Sequence, residues 1–468
     1  MLTFIAKIIV LIRCYCLVIV NEPQEKLPRS LSVWGIWILA VNGLIGAGIF
    51  GLPSIAARLT GVYSPLIFVL CAFLILPIVL CFAELASYFR STGGPVRYST
   101  EAFGPFIGFQ SGWLYYMARV GAFAANSALL VNNIGYFWPA ITSGSGRVFT
   151  LAFICGGLTF INIIGSVKAV RSLTVLTILK LTVLVLLVGA GSWYLGLDIV
   201  PRFGETALTV GDVGTAALLL TYAYGGFEYA VIPAGEARNP ARDMPLALLL
   251  ALGVVALLYV LIQMVSLAAV PNIAESTAPL LDAANALIGP VGAIILVLGV
   301  IASVGGNLVA GVFSTPRITY MLSLDGSLPR WFGVVDQKFL TPANSIVFFG
   351  LLSFLLAVFG SFIWLVATAV FSRLLVYMLT CGALPKLRKR YADKRGFVLP
   401  GGYLIPSLGI VASIWLTLQV GRESLILTVL LIAVGAMMYL IARRPRAASK
   451  IQPKRTAKLH DQTNRDSL

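Results

Sequence analysis

Asn42-Gly43-Leu44-Ile45-Gly46-Ala47-Gly48-Ile49-Phe50-Gly51-Leu52-Pro53 lies inside an apolar run long enough to cross a bilayer, and its four glycines decide how the chain is read. Each glycine costs a helix interior about 1 kcal/mol relative to alanine, so a continuous helix is poorly served here. Glycines let the chain unwind and bring its amides close to a ligand. Unwound backbone at membrane depth is tolerated only where protein or a polar cavity covers it. N–H groups freed at the positive start of a half-helix suit a carboxylate. Close helix packing through small residues explains the same glycines equally well.

Roughly 180 residues later a second interruption occurs, Tyr222-Ala223-Tyr224-Gly225-Gly226-Phe227-Glu228. A glycine pair beside an intramembrane glutamate is costly to keep without a use. Carbonyls freed there suit an ammonium group. Packing, with Glu228 near the inner surface, is the competing reading. The stretch Ala234-Gly235-Glu236-Ala237-Arg238-Asn239-Pro240-Ala241-Arg242-Asp243-Met244-Pro245 then reads as a charged cap between two helices.

Composition agrees with a membrane chain: 59% of the 468 residues are hydrophobic and 11% are charged. Soluble domains carry about 25% charged residues. Apolar runs such as 66–83, 175–193 and 425–442 approach the ~20 residues that span a bilayer. Twelve spans are expected, at about 33–56, 62–89, 103–138, 148–166, 172–196, 212–234, 245–270, 285–322, 343–360, 362–384, 403–420 and 425–442. With both termini cytoplasmic, the outer loops hold only Arg58, Arg147, Arg202 and Arg422. Arg119, Lys180 and Arg373 lie within spans, and the remaining Lys and Arg fall on the inner side, as the positive-inside rule requires. The net charge of +16 is thus read as membrane anchoring. Lys386, Arg388, Lys389, Arg390, Lys394 and Arg395 are taken as one cytoplasmic loop, and no nucleic-acid partner is expected.

The glycine-interrupted first and sixth spans stand five apart in order, so the halves they open have opposite orientation. Such interruptions at matching places in inverted halves point to a transporter binding site. The expected organisation is a segment 1–30, a transport core 31–385 made of repeats at about 31–198 and 211–385, spans 11 and 12 with the basic loop before them in 386–445, and a basic tail 446–468. Met1–Val20 is apolar but interrupted by Lys7 and Arg13, and lacks a small-residue cleavage site. It is read as a surface segment or an extra short span, with no function assigned. None of the six cysteines makes a CxxC spacing, and the only histidine is His460 in the tail. No metal site, cofactor or histidine proton relay is expected inside the membrane, and no enzymatic reaction.

These stretches resemble the amino acid–polyamine–organocation superfamily of permeases. The Gly-rich break of the family's first helix is matched by Gly46-Ala47-Gly48-Ile49-Phe50. The sixth-helix break and its cap are matched by the aromatic-Gly-Phe-Glu stretch and by Glu236, Asn239, Pro240, Arg242 and Pro245. Ala83-Glu84-Leu85 with Gly93-Gly94-Pro95, Arg317-Ile318-Thr319-Tyr320-Met321 with Asp325-Gly326-Ser327-Leu328-Pro329, and Pro400-Gly401-Gly402 before Pro406 add to the likeness, which covers about residues 31–440. The resemblance implies an all-α, 5+5 inverted-repeat, leucine-transporter-type fold of about twelve spans with helices 1 and 6 broken. It also implies amino acid or amine transport by alternating access, with a rocking bundle of spans 1, 2, 6 and 7. Substrate contacts carry over to Ile45, Gly46, Ala47, Gly48, Ile49, Tyr222, Ala223, Tyr224 and Gly226. Proton-coupled symport, substrate exchange, amine transport and a transporter-like nutrient sensor all remain open. So does the choice between monomer and homodimer. The expected location is the plasma (inner) membrane, and the expected substrates are neutral amino acids, with acidic ones reachable through Arg119 or Arg373.

Lys180 resembles the fifth-helix lysine of many sodium-independent family members, which takes the place of a sodium ion and braces helix 1 against helices 5 and 8. It is either a fixed structural cation or a proton carrier. Glu228 is a candidate inner gate or proton sensor. Arg119 and Arg373 are candidates for pairing with Glu84 or Glu228, or for lining the cavity. Asn126 and Asn133 either face the site or bond across helices. Lys180→Met is expected to lose or alter the pH dependence of substrate uptake. A variant whose uptake follows the parent from mildly acidic to mildly alkaline pH would remove both roles.

Overall fold

The computed structural model describes residues 31–89, 93–165, 173–202, 204, 208–391 and 397–443. Segment 1–30, the Lys168–Arg171 turn, Lys394, Arg395 and the tail beyond Arg443 lie outside them, as do the expectations placed there.

Many of the helices start at a cap or a proline, and several stop where glycine follows, as at Gly61, Gly104, Gly135, Gly289 and Gly360. Ser32 caps α1 (Val33–Leu44) by accepting the Gly35 N–H at 3.3 Å. After a three-residue gap, α2 (Gly48–Thr60) completes span 1. Span 2 is α3 (Ser64–Tyr88), and a shorter helix α4 (Gly94–Phe103) follows it. Spans 3, 4 and 5 are α5 (Pro105–Ile134), α6 (Gly144–Ile163) and α7 (Leu173–Leu195). Span 6 is broken into α8 (Val210–Thr221) and α9 (Glu228–Val231). Span 7 is α10 (Pro240–Ala269), followed by the short α11 (Pro279–Ile288). Span 8 is α12 (Pro290–Ser314), extended by α13 (Pro316–Leu324). Spans 9 and 10 are α14 (Ala343–Phe359) and α15 (Phe362–Arg390), and spans 11 and 12 are α16 (Leu404–Thr417) and α17 (Arg422–Arg443). Among the described residues, eight helical stretches are long and apolar enough to cross a membrane by themselves.

Packing shows the inverted repeat directly. Spans 1 and 6, 2 and 7, 3 and 8, and 4 and 9 pack as pairs. Spans 3 and 10 pack together, and so do their counterparts 8 and 5. The same holds for 1 with 7 and 6 with 2, and for 3 with 9 and 8 with 4. Shifting every span number by five leaves this set of neighbours unchanged, which is what two superimposable halves require. Spans 1, 2, 6 and 7 form one bundle, and the other core spans brace it.

A second repeat signal went unread in the sequence. The expected third and eighth spans, 103–138 and 285–322, begin inside the C-terminal ends of the short helices α4 and α11. Each of these helices has ten residues, and each ends at a glycine that precedes a proline: Gly104-Pro105 and Gly289-Pro290, 185 residues apart. Both glycines hold positive φ, +89° and +77°, which lets the chain turn sharply from the short helix into the next span.

Lipid tails are as apolar as leucine, so helices in a bilayer are held by close packing and by polar bonds. Gln263 of span 7 donates to Pro53 O of span 1 and to Ser64 Oγ at the start of span 2. Asn162 of span 4 donates to Val312 O and accepts from Arg317, both in span 8. Trp113 of span 3 donates to Leu431 O of span 12 at 2.8 Å. Exposed Trp138, Trp193 and Tyr194 ring one end of the bundle, and Trp34, Trp331 and Tyr403 the other, as interfacial belts do. Asn133, a candidate for the site, bonds only its own helix, at Leu129 O, among the described residues.

Two expectations are corrected at the inner end. Span 10 does not stop near residue 384 but runs on as helix through Arg390, so Lys386 to Arg390 are helical rather than loop. Glu84 pairs with neither Arg119 nor Arg373. Its carboxylate accepts Arg388 Nε at 2.7 Å and Nη2 at 2.6 Å, the Leu399 N–H at 2.9 Å and the Tyr88 hydroxyl. Arg388 also donates to Gly402 O. The pair clamps the ends of spans 2 and 10 to the entry of span 11, so that Arg388 joins two stretches that carry the family likeness, at Glu84 and at Gly402. Breaking a buried ion pair by removing one partner costs about 3–5 kcal/mol, because the other charge is left buried. Arg388→Met is therefore expected to lower the thermal unfolding midpoint of the purified protein sharply. Glu84→Gln added to it should recover part of the loss, and no recovery would deny the pairing.

Candidate functional site

The two breaks meet backbone to backbone. A Cβ placed on Gly43 would lie 2.0 Å from Gly226 O, and one on Gly226 would lie 2.3 Å from Gly43 O. A Cβ on Gly48 would lie 2.7 Å from Ala223 Cα. Gly51 is covered by Leu129 and Phe362. The four glycines therefore divide. Gly46 alone sits in the unwound stretch Ile45-Gly46-Ala47, while Gly43, Gly48 and Gly51 serve close packing. The packing reading holds for Gly43, Gly48 and Gly51, and the chain unwinds at Gly46 alone of the four.

The polar backbone at the span 1 break is treated unequally at its two ends. At the carbonyl end of α1 the Asn42, Leu44 and Ile45 carbonyls are engaged by side chains. Lys180 Nζ donates to Asn42 O at 2.9 Å, Asn42 Oδ1 at 2.8 Å and Ile45 O at 2.7 Å. Tyr259 of span 7 donates to Leu44 O at 2.8 Å, with Ala223 O at 3.2 Å as the alternative acceptor. Asn307 of span 8 donates to Ile45 O at 3.3 Å. The amide end of α2 is bare. Phe50 and Gly51 donate to Ala47 O, and no side chain caps the helix, so the Ala47, Gly48 and Ile49 N–H groups make no hydrogen bond among the described residues. Three adjacent free donors at the positive pole of a helix are an arrangement that suits an anion.

At the span 6 break the chain descends in tight turns, with Tyr222, Ala223, Tyr224 and Gly225 each donating three residues back. The Gly226 N–H turns aside to Glu228 Oε2 at 2.7 Å. The Tyr224 and Gly225 carbonyls accept no hydrogen bond among the described residues. They are acceptors available to an ammonium group beside the bare amides of α2.

The structure brings together Ile45, Gly46, Ala47, Gly48, Ile49, Tyr222, Ala223, Tyr224 and Gly226, but not all present side chains. Tyr222 reaches span 3, its hydroxyl 3.2 Å from Asn126 Oδ1 and 3.3 Å from Ala122 O, and so spans the gap between bundle and brace. Tyr224 turns away: its hydroxyl donates to Phe68 O of span 2 at 2.9 Å and its ring lies against Tyr259. Only its backbone remains at the break.

Glu228 and Arg373 form the ion pair that the sequence allowed, Oε1 to Nε 3.5 Å. Tyr377 also donates to Oε1, at 2.5 Å. Arg119 takes no carboxylate. Its guanidinium donates to Thr315 Oγ1 at 2.8 Å, Ser314 Oγ at 2.6 Å and Tyr115 Oη at 3.2 Å, and stacks 4.1 Å from the centre of the Tyr229 ring. The partners expected for it, Glu84 and Glu228, are already engaged by Arg388 and by Arg373 with Tyr377.

Sequence reasoning missed Tyr259 and Asn307, and quoted Asn42 without giving it a role. The available signal was polar residues in otherwise aliphatic runs: Tyr259 with Gln263 one helical turn on, and Asn307 after Gly305-Gly306.

The family model for amino acid permease matches residues 31–444. The branched-chain amino acid permease BcaP of Bacillus subtilis (strain 168) is 26% identical over 454 residues, covering 92% of this chain and 96% of that protein. The arginine/agmatine antiporter of Chlamydia pneumoniae is 26% identical over 460 residues, covering 91% and 93%. The serine/threonine exchanger SteT of Bacillus subtilis (strain 168) is 26% identical over 445 residues, covering 92% and 100%.

Overpacking a filled interior costs about 1–3 kcal/mol. Gly43→Ala and Gly48→Ala meet backbone that must shift, and are expected to lower the unfolding midpoint accordingly. Gly46→Ala meets only the movable Asn307 amide, at 2.9 Å, and should change the midpoint little. Equal effects at the three positions would contradict this division of the glycines.

Proposed function

This chain belongs to the amino acid permease family, and from that premise we propose that it is a secondary active transporter carrying α-amino acids across the plasma membrane by alternating access. The observation that carries the reading is the pair of apposed breaks. Three bare N–H groups of α2 await a carboxylate, and the free Tyr224 and Gly225 carbonyls beside them await an ammonium group. Unpaired backbone in a bilayer is costly, and a bound zwitterion offsets that cost at both breaks together. The family and the apolar spans make it an integral membrane protein. Cytoplasmic termini follow from the charge sorting.

The transport is sodium-independent in this reading. The Lys180 ammonium is already held by three oxygens around the end of α1, the ligation a sodium ion would need. Rocking of the bundle of spans 1, 2, 6 and 7 opens each side in turn. The inner halves of spans 1 and 6 are stitched at their entry, Leu31 N–H to Glu236 O and Arg238 N–H to Leu31 O, both 3.0 Å, so they move as one. Proton coupling through Lys180 or Glu228 is one mode. Exchange is the second, favoured by relatives described as an exchanger and an antiporter. Counterflow in proteoliposomes separates them, since an obligatory exchanger shows little net uptake into empty vesicles.

Recognition of the amino acid backbone is checked with derivatives. Free L-amino acids are expected to stabilise the purified protein against heat and to compete for uptake, while their N-acetyl and methyl-ester forms should do neither. Derivatives that bind as well as the free amino acid would sink the reading.

A further inference from the structure

Arg373 differs from every other cation inside the spans. Lys180 uses its three N–H donors on oxygens, and Arg119 donates from all three of its nitrogens. Arg373 is buried, 7% exposed, yet it donates no hydrogen bond among the described residues, and its Nε is left without a partner. Its only ionic neighbour among the described residues is Glu228 at 3.5 Å, and both oxygens of that carboxylate already accept other donors, from Gly226 and Tyr377. A guanidinium is a planar fork built for two parallel bonds to a carboxylate, and Glu228 does not supply them.

Its position is as telling as its lack of partners. A Cβ on Gly225 would fall 1.6 Å from Arg373 Nη1, so the guanidinium occupies the space left by the missing side chain at the span 6 break. It therefore lies against the same unwound backbone that presents the free carbonyls. The charges of this region do not cancel. Arg119 and Arg373 face one carboxylate, Glu228, between spans 3, 6, 8 and 10, while Lys180 is taken up by the end of α1. A zwitterion adds no net charge and leaves that excess uncompensated in a low-dielectric site. An amino acid with one further negative group neutralises it. The α-carboxylate has its own place at the amides of α2, so the fork of Arg373 remains for the second anion.

We propose that Arg373 is a substrate ligand and that it selects amino acids bearing an acidic side chain. This rests on the transport reading above and sharpens it from α-amino acids in general to the dicarboxylic ones. Arg119, ringed by hydroxyls and stacked on Tyr229 of the same span, adds to the positive field without itself being open for ligation.

The test uses pairs of equal shape that differ in charge. L-Glutamate against L-glutamine, and L-aspartate against L-asparagine, are titrated into the purified full-length protein while its unfolding midpoint is followed. At least one acid is expected to bind more tightly than its amide by roughly tenfold or more. In Arg373→Gln that ratio should fall towards one, and Arg373→Lys should keep part of it. Arg373→Gln strands Glu228, so the double variant Glu228→Gln/Arg373→Gln is measured beside it, and the ratio should be lost there too. Amides that bind as well as the acids to the parent protein overturn the proposal while leaving the transport reading intact. So does an acid preference that survives in both variants. Absence of stabilisation by these four and by every other common amino acid overturns both.

Discussion

The contact of Gly43 with Gly226, backbone against backbone between two broken helices, is the constraint from which the rest of the structure follows. Main-chain polar groups in a bilayer have no water to turn to, so each group freed by the breaks must be met by protein or by a ligand. At the carbonyl end of α1 the protein meets the Asn42, Leu44 and Ile45 carbonyls, with an ammonium from span 5, a hydroxyl from span 7 and an amide from span 8. At the amide end of α2 it does not. The negative pole of one half-helix is thus neutralised internally, while the positive pole of the other is left exposed to the site. That asymmetry gives the break a direction, and it makes a carboxylate the complementary group.

Around this contact the inverted repeat supplies a frame in which half the molecule can move against the other half. The neighbour pattern maps onto itself when spans are shifted by five, so the brace around one break is matched by a brace around the other. Polar ties within the bundle, such as Gln263 to Pro53 and Ser64, hold spans 1, 2 and 7 together. Ties between bundle and brace include Tyr222 to span 3, Glu228 to span 10, Glu84 to Arg388 at the inner end, and Lys180 and Asn307 to the end of α1. A bundle that rocks must accommodate these ties, which reach spans 3, 5, 8 and 10.

Much of this was legible beforehand because the bilayer enforces it. Span lengths, charge sorting and glycine breaks are one-dimensional signals, and they placed the twelve spans and the two interruptions. What depends on side-chain direction was not legible. Tyr222 and Tyr224 are two residues apart on a tightening turn, and the structure sends one to span 3 and the other to span 2. The partner of Glu84 lies 304 residues away on a helix that outlasts its apolar stretch, so hydropathy ended the span before reaching Arg388. The short helices α4 and α11 were hidden because ten residues of mixed polarity give no membrane signal, although the Gly-Pro pair that closes each one repeats.

The intramembrane cations show the same limit most clearly. In the sequence Lys180, Arg119 and Arg373 are alike: single positive charges in apolar runs, each costly and each a candidate for function. Hydrogen bonds separate them. A cation whose every nitrogen is engaged belongs to the frame, because moving it would break several bonds at once. Lys180 fastens the end of α1, and Arg119 fastens span 3 to span 8. A cation buried to the same depth with its donors idle has no such tie, and its desolvation is offset only when something else enters. Idle donors at a helix break, against the one glycine whose missing side chain makes room for them, mark where the frame ends and the site begins.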